Sequence, residues 1–234
     1  MKTALTIGII GGMSPESTVA YYQHIIRSHL EKFGDHSYPR IIIASVSFQQ
    51  FINWQHEGFW ERIAEELMKE FQAVAAAGAD FAILATNTMH KILPQINSPI
   101  PVLSIIDAVA DYAKANDVKN IALTGTRFTM SDGFYREGLE KHSLSVSLPS
   151  EPEQERIHNI IYNELVRGEI NSRSVKDFNE IAQSLLNLGA DAVLLGCTEL
   201  ALLTQETSAS MKLIDSTGVH ADAALKAAFS NQLP

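Results

Sequence analysis

The chain is poor in cysteine and in positive charge. One cysteine, Cys197, stands among 234 residues, so no intrachain disulfide can close and no cysteine-rich metal centre can form. Lys and Arg number 18 against 27 Asp and Glu, a net charge of −9 spread without an acidic tail. That balance speaks against a nucleic-acid partner, which would be held by clustered cations on its phosphates. No apolar run approaches the roughly 20 residues that cross a bilayer. Met1–Gly12 carries one lysine and a short apolar stretch, but Ser14-Pro15-Glu16 follows without a small-residue cleavage site. A first β-strand is therefore expected there rather than a signal peptide. Together these absences predict a cytoplasmic protein with neither a nucleic acid nor a membrane as partner. The rest is ordinary globular composition, 46% apolar and 19% charged, enough for one large α/β domain or two small ones.

Short aliphatic runs alternate with stretches of helical period. Ile7-Gly8-Ile9-Ile10, Arg40 to Ser47, Phe81 to Leu84, Pro101 to Ile105, Ile121-Ala122-Leu123 and Ala192 to Leu195 lack polar alternation, as parallel strands buried on both faces do. Between them, Trp60, Ile63, Ala64, Leu67 and Phe71 recur at three- and four-residue spacing. Ile157, Ile160, Ile161 and Leu165 form a second stripe, closed by Gly168. Val175, Phe178, Ile181, Leu185 and Leu188 form a third. The pitch predicts an α/β protein with mainly parallel sheet.

The chain also resembles itself. Gly78-Ala79-Asp80-Phe81 to Thr88 aligns without gaps on Gly189-Ala190-Asp191-Ala192 to Glu199. Upstream, Ile7 to Gly12 echoes Ile121 to Thr126, and downstream Ile106-Asp107 echoes Ile214-Asp215. The three echoes lie at offsets of 114, 111 and 108. Their common order predicts two pseudo-symmetric lobes, residues 1–108 and 109–217, with a boundary near 105–118 and a final helix, about 218–234, returning to the first. Thr86 and Cys197 share one alignment column, just past a buried strand. Because ligands gather at the carboxyl ends of strands in open α/β sheets, a pseudo-twofold would present both to one cleft between the lobes. Stereoinversion is a reaction that profits from two groups on opposite faces of one carbon. A buried apolar role for Cys197 and a capping role for Thr86 stand beside that reading.

Gly8-Ile9-Ile10-Gly11-Gly12-Met13-Ser14-Pro15-Glu16-Ser17-Thr18, Thr86-Asn87-Thr88-Met89-His90-Lys91 and Gly196-Cys197-Thr198-Glu199-Leu200 resemble the signatures of the aspartate/glutamate racemase family. Gln55-His56-Glu57-Gly58, Gly125 to Met130 and Ile214-Asp215-Ser216 add to the likeness, which runs over essentially the whole chain. Within the family it is nearest to the bacterial L-aspartate/glutamate-specific subgroup. The resemblance implies two α/β lobes with the active site between them, a homodimer, and racemisation by two bases without pyridoxal phosphate or metal. It implies catalytic roles for Thr86 and Cys197 and substrate contacts at Met13, Gln55, Thr86, Asn87, Thr88, Thr198 and Glu199. Asn87, Thr88 and Thr198 can donate to a carboxylate, and Glu199 can accept from an ammonium. Most of the family has cysteine at both columns, so Thr86 is a departure. A thiol with an ordinary pKa of about 8.5 can become a thiolate, whereas a threonine hydroxyl essentially cannot. The resemblance then makes Cys197 the base toward the L-enantiomer and Thr86 the proton donor on the opposite face.

Several other features weigh less. Gly11-Gly12 with Ser14 and Pro15 supplies a turn, an N-cap and a first helical residue, and such a helix start attracts carboxylates. The spacing is not that of a nucleotide-binding glycine motif. Arg127 is a possible side-chain carboxylate partner or a surface arginine. His24 and His29 lie on poorly matched helix faces for a shared metal, while His90 and His220 are read as tuning, capping or packing groups. Phe48, Phe51, Trp54, Phe59 and Trp60 are expected in core or lid packing. Rival readings are an arylmalonate-type decarboxylase using Cys197 alone, an acyl transferase pairing Cys197 with His90 or His220, and a non-catalytic amino-acid-binding protein.

Overall fold

The structure, a computed structural model, describes residues 4–204 and 211–230. It divides into two units. The first is the chain through Ile105 together with the segment from His220 onward, and the second is Ile106–Val219.

In the first unit, β1 (Ile7–Gly11), β2 (Ile41–Ser45), β3 (Phe81–Leu84) and β4 (Val102–Leu103) form a wholly parallel sheet in the order β2-β1-β3-β4. In the second, β5 (Asn120–Gly125), β6 (Ser145–Ser147), β7 (Ala192–Gly196) and β8 (Leu213–Asp215) repeat that order as β6-β5-β7-β8, again parallel. The central strands β1, β3 and β7 are buried throughout, whereas edge strand β2 leaves Ile43 exposed. Helices cover the sheets: α1 (Pro15–Phe33), α2 (Phe48–Glu57), α3 (Trp60–Ala76), α4 (Ile105–Ala115), α5 (Arg127–Ser131), α6 (Phe134–Lys141), α7 (Glu151–Asn163), α8 (Ser172–Asn187) and α9 (Ser216–Ser230). Residues 231–234, included in the expected final helix, lie outside the described residues. Ala221, Ala224, Leu225 and Ala228 of α9 pack with Ile7, Ile9, Tyr21 and Phe81 in the first unit.

The strand register tests the internal echoes one by one. Ile7 pairs with Phe81, and Ile121 pairs with Ala192, so the match of Ile7 to Ile121 is consistent with that of Phe81 to Ala192. The third echo needs correction. Ile83 pairs with Leu103 and its counterpart Leu194 pairs with Ile214, which makes Leu103 the partner of Ile214 in the repeat. Ile106 and Asp107 are instead helical, because β4 ends at Leu103 and α4 begins at Ile105. Leu188 also departs from expectation. It is the C-cap of α8, just before the Gly189 turn, and is 78% exposed. Of the aromatic stretch, Phe48, Phe51, Trp54 and Trp60 join the apolar cluster between α2, α3 and the sheet, while Phe59 is exposed beneath the Arg62 guanidinium.

His220 is fully buried and accounts for part of the acid sensitivity expected of the first unit. Its Nε2 lies 2.9 Å from the Leu103 carbonyl, which can only accept, so the proton sits on Nε2 and Nδ1 accepts from the Tyr21 hydroxyl at 2.8 Å. Burial, then the neighbouring His90, pushes its pKa from 6.5 down to about 3. The unfolded chain therefore binds a proton below pH 6.5 that the folded chain refuses down to about pH 3, and stability is lost as pH falls through that window. From pH 7 to pH 5.5, urea unfolding should show a loss of about 1 kcal/mol from this residue. His220→Gln should remove that component, and an unchanged pH slope would discharge His220 as its source.

Candidate active site

The strand tips of each unit are built for close backbone approach. A Cβ on Gly11 would fall 2.3 Å from the Thr18 hydroxyl, and one on Gly12, at φ +90, would fall 2.5 Å from the Val46 carbonyl. Thr18 fills that space with purpose. Its Oγ1 accepts from the Gly12 amide at 2.8 Å and donates to the Ser14 carbonyl at 3.1 Å. Ser14 in turn caps α1 by accepting from the Ser17 amide. The turn is thereby pinned, and Met13 is left buried against the apolar cluster that includes Phe51 and Met89.

On the neighbouring strand, the chain past β3 reaches Thr86, which is partly exposed, and then enters a short 3-10 helix, Thr88–Lys91. Asn87 and Thr88 are buried. His90 holds the Thr86 main chain. The Ile105 amide, necessarily a donor, lies 3.0 Å from Nε2, so that nitrogen is bare and Nδ1–H donates to the Thr86 carbonyl at 2.8 Å. Gln55, at the buried end of α2, donates from Nε2 to Met89 Sδ at 3.9 Å. The first unit thus joins Met13 and Gln55 through Met89, which follows directly on the Thr86–Thr88 segment.

The second unit repeats the device. A Cβ on Gly196 would meet the Thr124 carbonyl at 2.4 Å, and one on Gly125 would meet the Gly196 carbonyl at 3.0 Å, so the tips of β5 and β7 accept only glycine without moving. The Thr124 and Ser216 hydroxyls each donate at 2.7 Å to successive β7 carbonyls, those of Leu194 and Leu195. Cys197 follows directly, half-buried, at the position that register equates with Thr86. Its Sγ–H donates to Glu199 Oε2 at 3.0 Å. Burial first, and then the negative charge of Glu199, raises the thiol pKa well above its usual value, so the resting state is the thiol. Glu199 is itself buried, and the Thr198 hydroxyl lies 3.2 Å from that of Thr217.

Two further side chains of the second unit are ones that sequence reasoning did not single out. Tyr162 packs against the same apolar cluster as Cys197, and the His158 ring lies tilted against it with centroids 4.7 Å apart. Both sit on α7, whose Ile157, Ile160 and Ile161 stripe was legible while its flank was not. The rival pairing of Cys197 with a histidine base finds no support, because both ring nitrogens of His90 and of His220 are already engaged within the first unit. Among the described residues, no group of three or more His, Cys, Asp or Glu is placed to hold a metal ion, and no helix is long and apolar enough to cross a membrane.

Two wholly parallel α/β lobes of one strand order, with Thr86 and Cys197 at equivalent strand tips, define a duplicated racemase-type architecture. The chain belongs to the Asp/Glu/Hydantoin racemase family, whose model matches residues 10–224. It is similar to a candidate Asp/Glu racemase from Yersinia pestis at 36% identity, covering 96% of this chain and 99% of that one with a TM-score of 0.89. It is also similar to an aspartate racemase homologue from Pyrococcus horikoshii OT3, at 35% identity over 98% and 100% of the two chains, TM-score 0.82. The Picrophilus torridus aspartate racemase shares the fold at 23% identity over 96% and 94%, TM-score 0.76.

Proposed function

We propose that the protein is a cofactor-independent racemase of acidic amino acids, aspartate or glutamate, with Cys197 as base toward the L-enantiomer and Thr86 as proton donor on the opposite face. The observation that carries this reading is the Cys197 thiol hydrogen-bonded to Glu199 at the tip of β7. A thiol with a raised pKa needs an acceptor before it can serve as a base, and the carboxylate is that acceptor. Glu199 takes the Sγ proton, the thiolate takes the α-proton, and the electron pair left behind spreads into the α-carboxylate. Thr86 delivers its hydroxyl proton to the other face, and solvent then restores Thr86 and relieves Glu199. Family membership supports the reaction type. The buried Asn87 and Thr88 side chains and the partly exposed Thr198 supply donors for a carboxylate, and Met13 and Gln55 shape the first unit's part.

The defining experiment incubates the protein with L- and D-amino acids in heavy water and reads α-deuteration by NMR beside chiral chromatography. Exchange with inversion of aspartate or glutamate is the expected result, unchanged by chelator or by carbonyl reagents. Binding without exchange would instead mark an amino-acid-binding protein.

The threonine makes a sharper forecast. Acting as a base toward the D-enantiomer asks Thr86 to ionise, which its hydroxyl resists far more than a thiol does. Thr86→Cys should therefore raise the turnover number on the D-enantiomer by about tenfold or more. Since enantiomers are isoenergetic, kcat/KM must be equal in the two directions, so any rise in kcat/KM on the D-enantiomer must be matched on the L-enantiomer. Unchanged D-turnover would remove the asymmetry from the mechanism.

A further inference from the structure

The flank of Cys197 carries polar groups that the reaction scheme leaves unused. α7 projects Glu155, His158 and Tyr162 at spacings of three and four, along one helix face. His158 Nδ1 accepts from the Arg127 amide at 3.3 Å, at the start of α5, and its ring lies tilted against that of Tyr162. The Tyr162 ring is packed against the Cys197 cluster, yet among the described residues its hydroxyl has no hydrogen-bond partner. The Arg127 guanidinium is lightly held, 5.9 Å from the centre of the Phe128 ring. Its approach to Glu155 is 3.8 Å, beyond hydrogen-bonding range, and both side chains are half-exposed, so that pair holds it weakly.

We propose that Tyr162 and Arg127 form the receptor for the substrate's side-chain carboxylate, with His158 as the positioning residue that holds both. The assignment rests on the racemase reading above and supplies what that reading lacked, a reason for acidic substrates. Glu199 is an anion beside the thiol, and a substrate bringing a second carboxylate needs a cation and a donor close at hand. Arg127 provides the charge, and Tyr162 provides a directed O–H. Burial, then the charges of Cys197 and Glu199, lifts the phenol to about 12, which keeps it a donor throughout the neutral range. Arg127 follows two residues after Gly125, the strand-tip partner of Gly196, which directly precedes Cys197. The ligand class is therefore a short dicarboxylic amino acid, held at one end by this pair and at its α-carbon by the thiol.

The test uses the full chain with Tyr162→Phe and Arg127→Gln made separately, each checked for an unchanged circular dichroism spectrum. KM for L-aspartate and L-glutamate should rise about tenfold or more in each variant, while kcat for α-deuteration stays within about threefold, because the lost contact is equal in ground and transition states. Affinity for L-asparagine or L-glutamine, read by calorimetry, should be unaltered. Arg127→Lys, which keeps the charge, should recover part of the loss. Unchanged KM in both variants, or an equal loss for acids and amides, overturns the receptor while leaving the racemase reading in place. Should the unmodified protein exchange no α-proton at all, that reading falls, and calorimetry with L-aspartate and L-glutamate still decides the receptor. Binding weakened about tenfold by either substitution supports it, and no binding or equal binding overturns it.

Discussion

Cys197→Ser is expected to abolish removal of the α-proton from L-aspartate or L-glutamate, lowering the rate by about 10³-fold or more. The substitution changes one atom and leaves the backbone device around it untouched: Gly196, the Thr124 and Ser216 hydroxyls on β7, and the 3-10 helix Thr198–Thr204 all persist. Serine is smaller than cysteine and can still donate to Glu199 Oε2. What it cannot do is ionise at a usable cost, since a carboxylate that can draw a proton from a thiol cannot draw one from an alkanol. Thermal unfolding should move little, because Cys197 is half-buried and contributes only an edge to the apolar cluster of its unit. Chiral chromatography and α-deuteration would read the loss together. Turnover equal to that of the unmodified protein would take Cys197 out of the chemistry and leave the buried, apolar reading of its side chain.

Glu199→Gln should produce the second large effect, and its signature differs. The amide cannot receive the thiol proton, so kcat is expected to fall by about 10²-fold or more. The same change removes the negative charge that, after burial, holds the thiol pKa up, so the thiol of the variant should titrate lower than that of the parent. Alkylation of Cys197 by iodoacetamide across a pH series reads this directly: the reactivity profile should shift toward lower pH while catalysis declines. A residue that merely bound the substrate ammonium would raise KM and leave kcat in place. That pattern would return Glu199 to the role of a binding group and leave Cys197 without a partner for its proton.

Much of the fold was legible because buried parallel strands leave a plain signature. β1, β3, β5 and β7 lie at the centre of their sheets and read as unbroken aliphatic runs ending in glycine or small residues. Their glycines are required where backbone meets backbone, as at Gly125 and Gly196. The repeat could be seen for the same reason, since both copies must satisfy the same packing. Edge elements were harder to read. β6, Ser145–Ser147, went unnoticed because an edge strand with one wet face alternates serine with valine and shows no apolar run. The misplaced echo at Ile106 had a related cause. A pair of residues carries too little pattern to tell the end of a two-residue strand from the first turn of a helix.

The local sequence by itself determined the alternation of strand and helix, the duplication, and the equivalent positions of Thr86 and Cys197 in the repeat. Tertiary structure decided the rest. It directs the thiol proton to Glu199 and uses both nitrogens of His90 and His220 inside the first unit. It also sets the His158 ring of α7 against the Arg127 amide at the start of α5, two segments distant in the chain. The division has a physical origin. Periodicity records which side of an element meets the core, a property of neighbouring residues. Which polar group meets which, and in what protonation state, depends on atoms brought together only when distant segments pack, and on the loss of water around them.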